Sequence, residues 1–139
     1  SKGDTLCVGE SLQLNAYGAE NYSWSPTTGL NNSSIPNPIA KPQSTTLYQV
    51  VGFDSLNCFR DSLTVPVVVY PYPSITSKKD TVIRAGSSII LNPQLSSDIT
   101  NVLWSPPDFL SCTTCASPTA SPLKTTSYRI VANNRGGCV

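Results

Sequence analysis

Five cysteines and eight acidic residues, with no histidine, are the main stock of side chains available for redox, metal or acid–base chemistry. Without histidine, neither a Ser-His-Asp nor a Cys-His site can be assembled. Cys112-Thr-Thr-Cys115 has the spacing of a local disulfide, a redox pair or half a zinc site. A redox pair normally opens a helix, whereas this one lies in a Ser/Thr/Pro loop, and zinc would need two further ligands. A local disulfide is therefore expected, contributing about 2 kcal/mol before strain because its loop is so short. Cys7 precedes one strand and Cys58 follows another. Strand ends in a sandwich can meet, so a Cys7–Cys58 bond is expected, closing a loop of ~50 residues for about 4 kcal/mol. That leaves Cys138 as the unpaired cysteine, free or bonded to a cysteine elsewhere.

The acids offer little chemistry. Glycoside hydrolysis needs two carboxylates facing one cleft, and these are scattered, mostly in turns. Asp54 and Asp61 flank one hairpin, but calcium wants six to eight oxygens together, and turn chemistry explains the pair more simply. No catalytic residue, metal ligand or cofactor is assigned. Four of the six aspartates open an Asp-Ser/Thr-aliphatic triplet: Asp4-Thr5-Leu6, Asp54-Ser55-Leu56, Asp61-Ser62-Leu63 and Asp80-Thr81-Val82. Such pairs commonly start strands after turns through side-chain-to-backbone bonds. Asn21-Tyr-Ser23, Asn31-Asn-Ser33 and Asn32-Ser-Ser34 match the N-glycosylation triplet.

The elements that carry these residues occur twice. Tyr22-Ser-Trp24-Ser-Pro26, Pro38-Ile-Ala40-Lys-Pro42, Thr45-Thr46-Leu-Tyr48 and Cys58 are echoed by Leu103-Trp104-Ser-Pro106, Pro118-Thr-Ala120-Ser-Pro122, Thr125-Thr126-Ser-Tyr128 and Cys138. The offset holds near 80 residues with roughly a third of positions identical, which marks a tandem duplication. Two small domains follow, 1–71 and 72–139. At that size a core is marginal without reinforcement, and sulfur bonds would supply it. Short β-branched and aromatic runs between Gly, Pro and Asn clusters make both units all-β sandwiches. Strands are expected at 5–7, 11–16, 22–25, 38–41, 46–53 and 61–70. In the second unit they are expected at 81–83, 88–92, 102–105, 119–121 and 127–133. Pro66 suggests an edge or a bulge. Trp24, Trp104, Tyr48 and Tyr128 are expected in the cores. The second unit lacks its last strand: either the piece is truncated, or a neighbouring chain adds a strand. Tyr70-Pro-Tyr-Pro73 reads as a short stiff linker that would give a rod.

A formal net charge of +1 argues against a nucleic-acid partner. No apolar run reaches the ~20 residues of a membrane span. The chain has no signal peptide and no methionine, so it is read as a processed or excised piece of something longer. Its Ser, Thr, Asn and Pro content with paired cysteines points outside the cell.

The string Trp-Ser-Pro, Leu, Pro-x-Ala-x-Pro, Thr-Thr-x-Tyr and a closing Cys resembles the PKD-like and immunoglobulin-like repeats of large surface proteins in Bacteroidota, common in gliding-motility-associated adhesins and other type IX secretion cargo. Leu110-Ser-Cys112-Thr-Thr-Cys115 looks like a variant of the same loop. The match departs at Arg84, where a paired cysteine is expected, and in the missing last strand. The resemblance implies two tandem immunoglobulin-like (PKD-like) β-sandwiches in a non-enzymatic protein, exported across the outer membrane to the cell surface. Its partners would be neighbouring repeats of the same polypeptide, and surface or secretion-machinery proteins or surface glycans. The same bacteria carry an O-glycosylation pathway reading Asp-Ser/Thr-hydrophobic triplets, which makes Thr5, Ser55, Ser62 and Thr81 candidate glycan sites.

Three functions are thus weighed. The first is a structural or adhesive repeat. The second is a carbohydrate-binding or spacer module of a secreted enzyme, whose candidate aromatics are Tyr17, Tyr70 and Tyr72. The third is a fibre subunit assembled by strand addition.

Overall fold

The structure is a computed structural model that describes residues 4–56, 58–77 and 80–139. The chain divides into two compact units, Ser1–Pro71 and Tyr72–Val139. Twelve strands, and no helix among the described residues, make it all-β.

Unit 1 contains β1 (Asp4–Cys7), β2 (Leu12–Gln13), β3 (Asn21–Ser25), β4 (Ile39–Ala40), β5 (Thr46–Phe53) and β6 (Arg60–Tyr70). Its main sheet has the order β1-β6-β5-β3, and β2 pairs with β4 to make the opposing layer. Alternation drives this arrangement. In β3 the side chains of Tyr22 and Trp24 are buried while Asn21, Ser23 and Ser25 face water. In β5, Tyr48 and Val50 point inward in the same way. Two-residue periodicity sends alternate side chains to one face, so one face of this sheet is apolar. Leu14 and Ala40 complete the core from the other layer, with Leu6, Val65 and Val67 closing it under β1 and β6.

β6 is paired on both sides, antiparallel to β5 and parallel to β1. Pro66 lies within β6, opposite Leu47 of β5.

Unit 2 contains β7 (Ile75–Thr76), β8 (Ile89–Ile90), β9 (Gln94–Leu95), β10 (Ile99–Ser105), β11 (Thr119–Ala120) and β12 (Arg129–Asn134). β10 pairs with β12, β8 with β11, and β7 with β9. Among the described residues β12 pairs with β10 alone. Thr126–Tyr128 form no strand although Thr46–Tyr48 do, because the latter are paired with Val65–Val67. The 81–83 segment, expected as a strand, is not one, whereas its counterpart β1 is a strand paired with β6.

Candidate functional site

The repeat is reproduced at the level of single hydrogen bonds. Trp24 Nε1 donates to the Ile35 carbonyl at 2.9 Å, and Trp104 Nε1 donates to the Cys115 carbonyl at 2.9 Å. Tyr48 Oη donates to the Thr28 carbonyl at 2.8 Å, and Tyr128 Oη to the Asp108 carbonyl at 2.9 Å. Asn31 Oδ1 accepts from the Ile39 amide at 2.7 Å, and Ser111 Oγ from the Thr119 amide at 2.9 Å. The Trp-Ser-Pro segment enters its loop through a cis Ser-Pro bond in both units. Ahead of Tyr22 the spacing shortens, so that Cys7 and Gly9 correspond to Arg84 and Gly86. The Glu10 amide meets the Cys7 carbonyl at 3.0 Å, and the Ser87 amide meets that of Arg84 at 3.0 Å.

Each indole therefore fills a core and spends its one polar atom on a loop carbonyl. Trp24 is 1% exposed and Trp104 6%. Burying an aromatic whose N–H finds a carbonyl partner gains the apolar contribution while the new hydrogen bond offsets the lost hydration of the donor. Tyr48 is fully buried, and burial raises its phenol pKa above the usual value, partly offset by a bond to Thr46. Tyr128, expected in a core, is only half-buried, whereas Tyr48 is buried.

Cys112 and Cys115 are bonded, with Cα atoms 5.9 Å apart. Their place in the fold shows what the bond does. In unit 1 the same loop is closed by Asn32, whose Oδ1 accepts from the Ser34 amide at 2.8 Å. In unit 2 sulfur replaces that Asx turn and fixes the Cys115 carbonyl on which Trp104 docks. The other cysteines require a correction. Cys58 is an exposed free thiol, while Cys7 and Cys138 are each disulfide-bonded. A Cys7–Cys58 bond is barred by register. Cys7 stands opposite Tyr70 at the last residue of β6, and Cys58 precedes Arg60 at its first. A strand rises about 3.3 Å per residue, so β6 holds them about 30 Å apart, far beyond the ~7 Å limit of a disulfide. The expectation that strand ends meet ignored which ends they were.

Turn chemistry accounts for the aspartates of the β5–β6 hairpin. Asp54 Oδ1 accepts from the Cys58 and Phe59 amides at 2.7 and 3.2 Å, and Asp61 Oδ1 from the Ser62 amide at 2.8 Å. Asn134 holds the equivalent turn in unit 2. It is buried, accepts from the Gly136 and Cys138 amides at 3.1 Å each, and donates through Nδ2 to Asp98 at 3.0 Å. Hydrogen bonds from Ser96 and Asn134 hold the Asp98 carboxyl below the usual carboxylate range. Among the described residues no three His, Cys, Asp or Glu side chains converge as metal ligands. Thr5, Ser55, Ser62 and Thr81 are all exposed.

Tyr17 and Tyr70, two of the aromatics considered for sugar stacking, do not share one platform. Tyr17 is 87% exposed beside a shallow cleft lined by Asn15, Glu20, Pro36 and Asn37. It follows β2 near the Phe53 end of the sheet, where Ala19 abuts Gly52. Tyr70 is half-buried at the opposite end of β6. The length of that strand separates them.

One feature escaped sequence reasoning. Gly29 has φ +79°, and Phe109 holds the matching position in unit 2 at φ 60°. The signal was present, since a glycine after a Pro-x-x turn start commonly marks a left-handed residue. Its phenylalanine counterpart gave no such sign.

No known protein family and no curated protein matches the chain. Solved structures do. The crystal structure of the insect immune protein hemolin superposes with a TM-score of 0.50 at 15% identity, covering 99% of this chain and 42% of hemolin. The chain thus spans well under half of hemolin's length. Titin domains z1z2 in complex with telethonin match with a TM-score of 0.39 at 15% identity, over 96% of this chain and 85% of that one. The likeness to hemolin is one of fold: the chain is built of immunoglobulin-like β-sandwiches.

Proposed function

We propose that this chain is a non-enzymatic structural or adhesive segment of an extracellular protein, and that unit 1 is built to bear tension. The carrying observation is the parallel pairing of the first and last strands of unit 1, Asp4↔Val67 through Cys7↔Tyr70. Tension enters at the start of β1 and leaves at the end of β6. These points lie at opposite ends of the paired stretch, so the ladder bonds are loaded together in shear instead of one by one. Buried Leu6 and Val67 pack beneath the same patch. The disulfides at Cys7, Cys138 and Cys112–Cys115 support an oxidising, extracellular setting.

The test is single-molecule pulling on the chain in reductant. Thr5→Pro removes a donor from β1 at an exposed position facing Val68. It is expected to lower the unfolding force of unit 1 while unit 2 is unchanged. Equal forces for parent and variant would refute the mechanical reading.

The finer reading is a repeat of a gliding or adhesion protein of the type IX secretion route, carrying O-glycans at Thr5, Ser55, Ser62 and Thr81. It rests on the motif string and on the exposure of those four residues. Glycopeptide mass analysis of the protein from its host tests it: glycan mass on these peptides is expected, and four unmodified peptides would refute the assignment.

A further inference from the structure

In the loop after β10, unit 1 shows how much the fold itself requires, and unit 2 exceeds it. Trp24 docks its indole on the Ile35 carbonyl with no sulfur in the loop, at the same 2.9 Å at which Trp104 docks on the Cys115 carbonyl. The Trp24 amide meets the Ser33 carbonyl at 2.7 Å, and the Trp104 amide meets that of Thr113 at 2.8 Å. Backbone bonds hold the path of the loop in both copies, so seating the indole does not by itself call for Cys112 and Cys115.

The sulfur bond sits where a reagent can reach it. Cys112 and Cys115 are both half-buried, and Ser111 and Thr114 beside them are exposed. The loop runs along the flank of β10 away from β12, held by bonds inside unit 2. Its two sulfurs are not equivalent. Ser111 Oγ donates to Cys112 Sγ at 3.8 Å, and the same oxygen accepts from the Thr119 amide at 2.9 Å. A hydroxyl that accepts one bond donates its own proton more strongly. Thr119, Ser111 and Cys112 thus form a short relay that ends on one sulfur. Donation to a sulfur favours its thiolate, and exchange runs faster when the leaving sulfur has the lower pKa.

We infer that the Cys112–Cys115 pair is an exchange site for small-molecule thiols, attacked at Cys115 and releasing Cys112. The incoming thiolate bonds to Cys115 Sγ as the Cys112–Cys115 bond breaks. The electron pair of that bond leaves on Cys112 Sγ, where Ser111 steadies the charge until water supplies a proton. The product is a mixed disulfide on Cys115 and a thiol at Cys112. Attack by Cys112 on the mixed disulfide expels the small thiol and restores the pair. Attack by a second small thiol on the outer sulfur releases a small-molecule disulfide and leaves both cysteines reduced, so that two thiols have passed two electrons to the pair. This rests on unit 2 alone and does not depend on the mechanical reading of unit 1.

The probe is reduced glutathione, added in excess to the intact oxidised chain for short pulses. Each pulse is quenched by acid, capped with a maleimide and mapped by fragment-ion mass analysis. Glutathione on Cys115 with maleimide on Cys112 is expected at least about tenfold more often than the reverse. The Trp104 indole N–H signal is expected to persist, and the buried Cys138 to stay oxidised. Ser111→Asp keeps an acceptor for the Thr119 amide, as Asn31 Oδ1 does for that of Ile39 in unit 1, but offers no proton to sulfur. It is expected to abolish or invert the preference. An even split in the parent, adducts mainly on Cys112, or an unchanged preference in Ser111→Asp would overturn the inference. No adduct at millimolar glutathione would overturn it too, as would reaction that begins only once the Trp104 signal is lost, because the bond would then open by unfolding.

Discussion

Substituting Gly29 by alanine attacks unit 1 at its tightest point. Gly29 has φ +79°, and a Cβ built there lies 3.0 Å from Tyr48 Oη, 3.1 Å from the Lys41 carbonyl and 3.1 Å from Pro42 Cα. Two costs add. An L-residue in the left-handed region costs about 1–2 kcal/mol. The added methyl also pushes on Tyr48 Oη, whose 2.8 Å bond to the Thr28 carbonyl is its outlet from a buried site. Losing that bond costs about 1 kcal/mol. Neither the Lys41 carbonyl nor Pro42 can yield, since Lys41 donates its amide to the Gly29 carbonyl at 2.7 Å. A destabilisation of about 2–3 kcal/mol is expected, equivalent to a melting shift on the order of 10–20 °C for a domain this small. Thermal unfolding followed separately at the Trp24 and Trp104 indole N–H signals assigns the loss to unit 1. Phe109 provides the mirror experiment. Phe109→Gly relieves the same backbone conformation at φ 60° and is expected to stabilise unit 2 by about 1 kcal/mol. The reasoning fails if Gly29→Ala melts within a degree of the parent, or if Phe109→Gly lowers the stability of unit 2.

Other outcomes follow from the same contacts. Cys112→Ser with Cys115→Ser should cost unit 2 at most about 2 kcal/mol and loosen the loop under Trp104 without unfolding it; chemical denaturation of the double variant measures this. Tyr48→Phe should cost unit 1 about 1 kcal/mol, with a smaller loss for Tyr128→Phe because Tyr128 is half-buried. The raised pKa of Tyr48 means the folded state favours the neutral phenol. Its contribution is complete below the ordinary tyrosine value near 10 and is lost as pH rises through the folded value, which an alkaline melting series of parent and Tyr48→Phe would show. Asp98 has the opposite sign: its lowered pKa gives stability above the ordinary carboxylate value, lost as pH falls through the folded one. Asp98→Asn should flatten the acid limb of unit 2.

The duplication, the all-β class and the paired indoles were legible because each rests on local pattern. Trp24 lies in a strand that alternates strictly, and its echo at Trp104 keeps the Ser-Pro that follows it. Cysteine pairing was not legible, because it depends on which end of β6 each residue reaches, and that is set by the parallel register of β1. The short β7–β9 pair, Ile75–Thr76 with Gln94–Leu95, was not among the expected strands. The expected strand at 81–83 and the full burial of Tyr128 failed for one reason. Both assumed a neighbour that only long-range pairing supplies.

Hydrogen exchange comparing Thr46–Val51 with Thr126–Val131 bears most directly on the claim that one sandwich was built twice. The account predicts slow indole exchange at both Trp24 and Trp104, strong protection throughout the first segment, and protection in the second confined to amides facing β10. Equal protection of the two segments, or a rapidly exchanging indole in either copy, would contradict it.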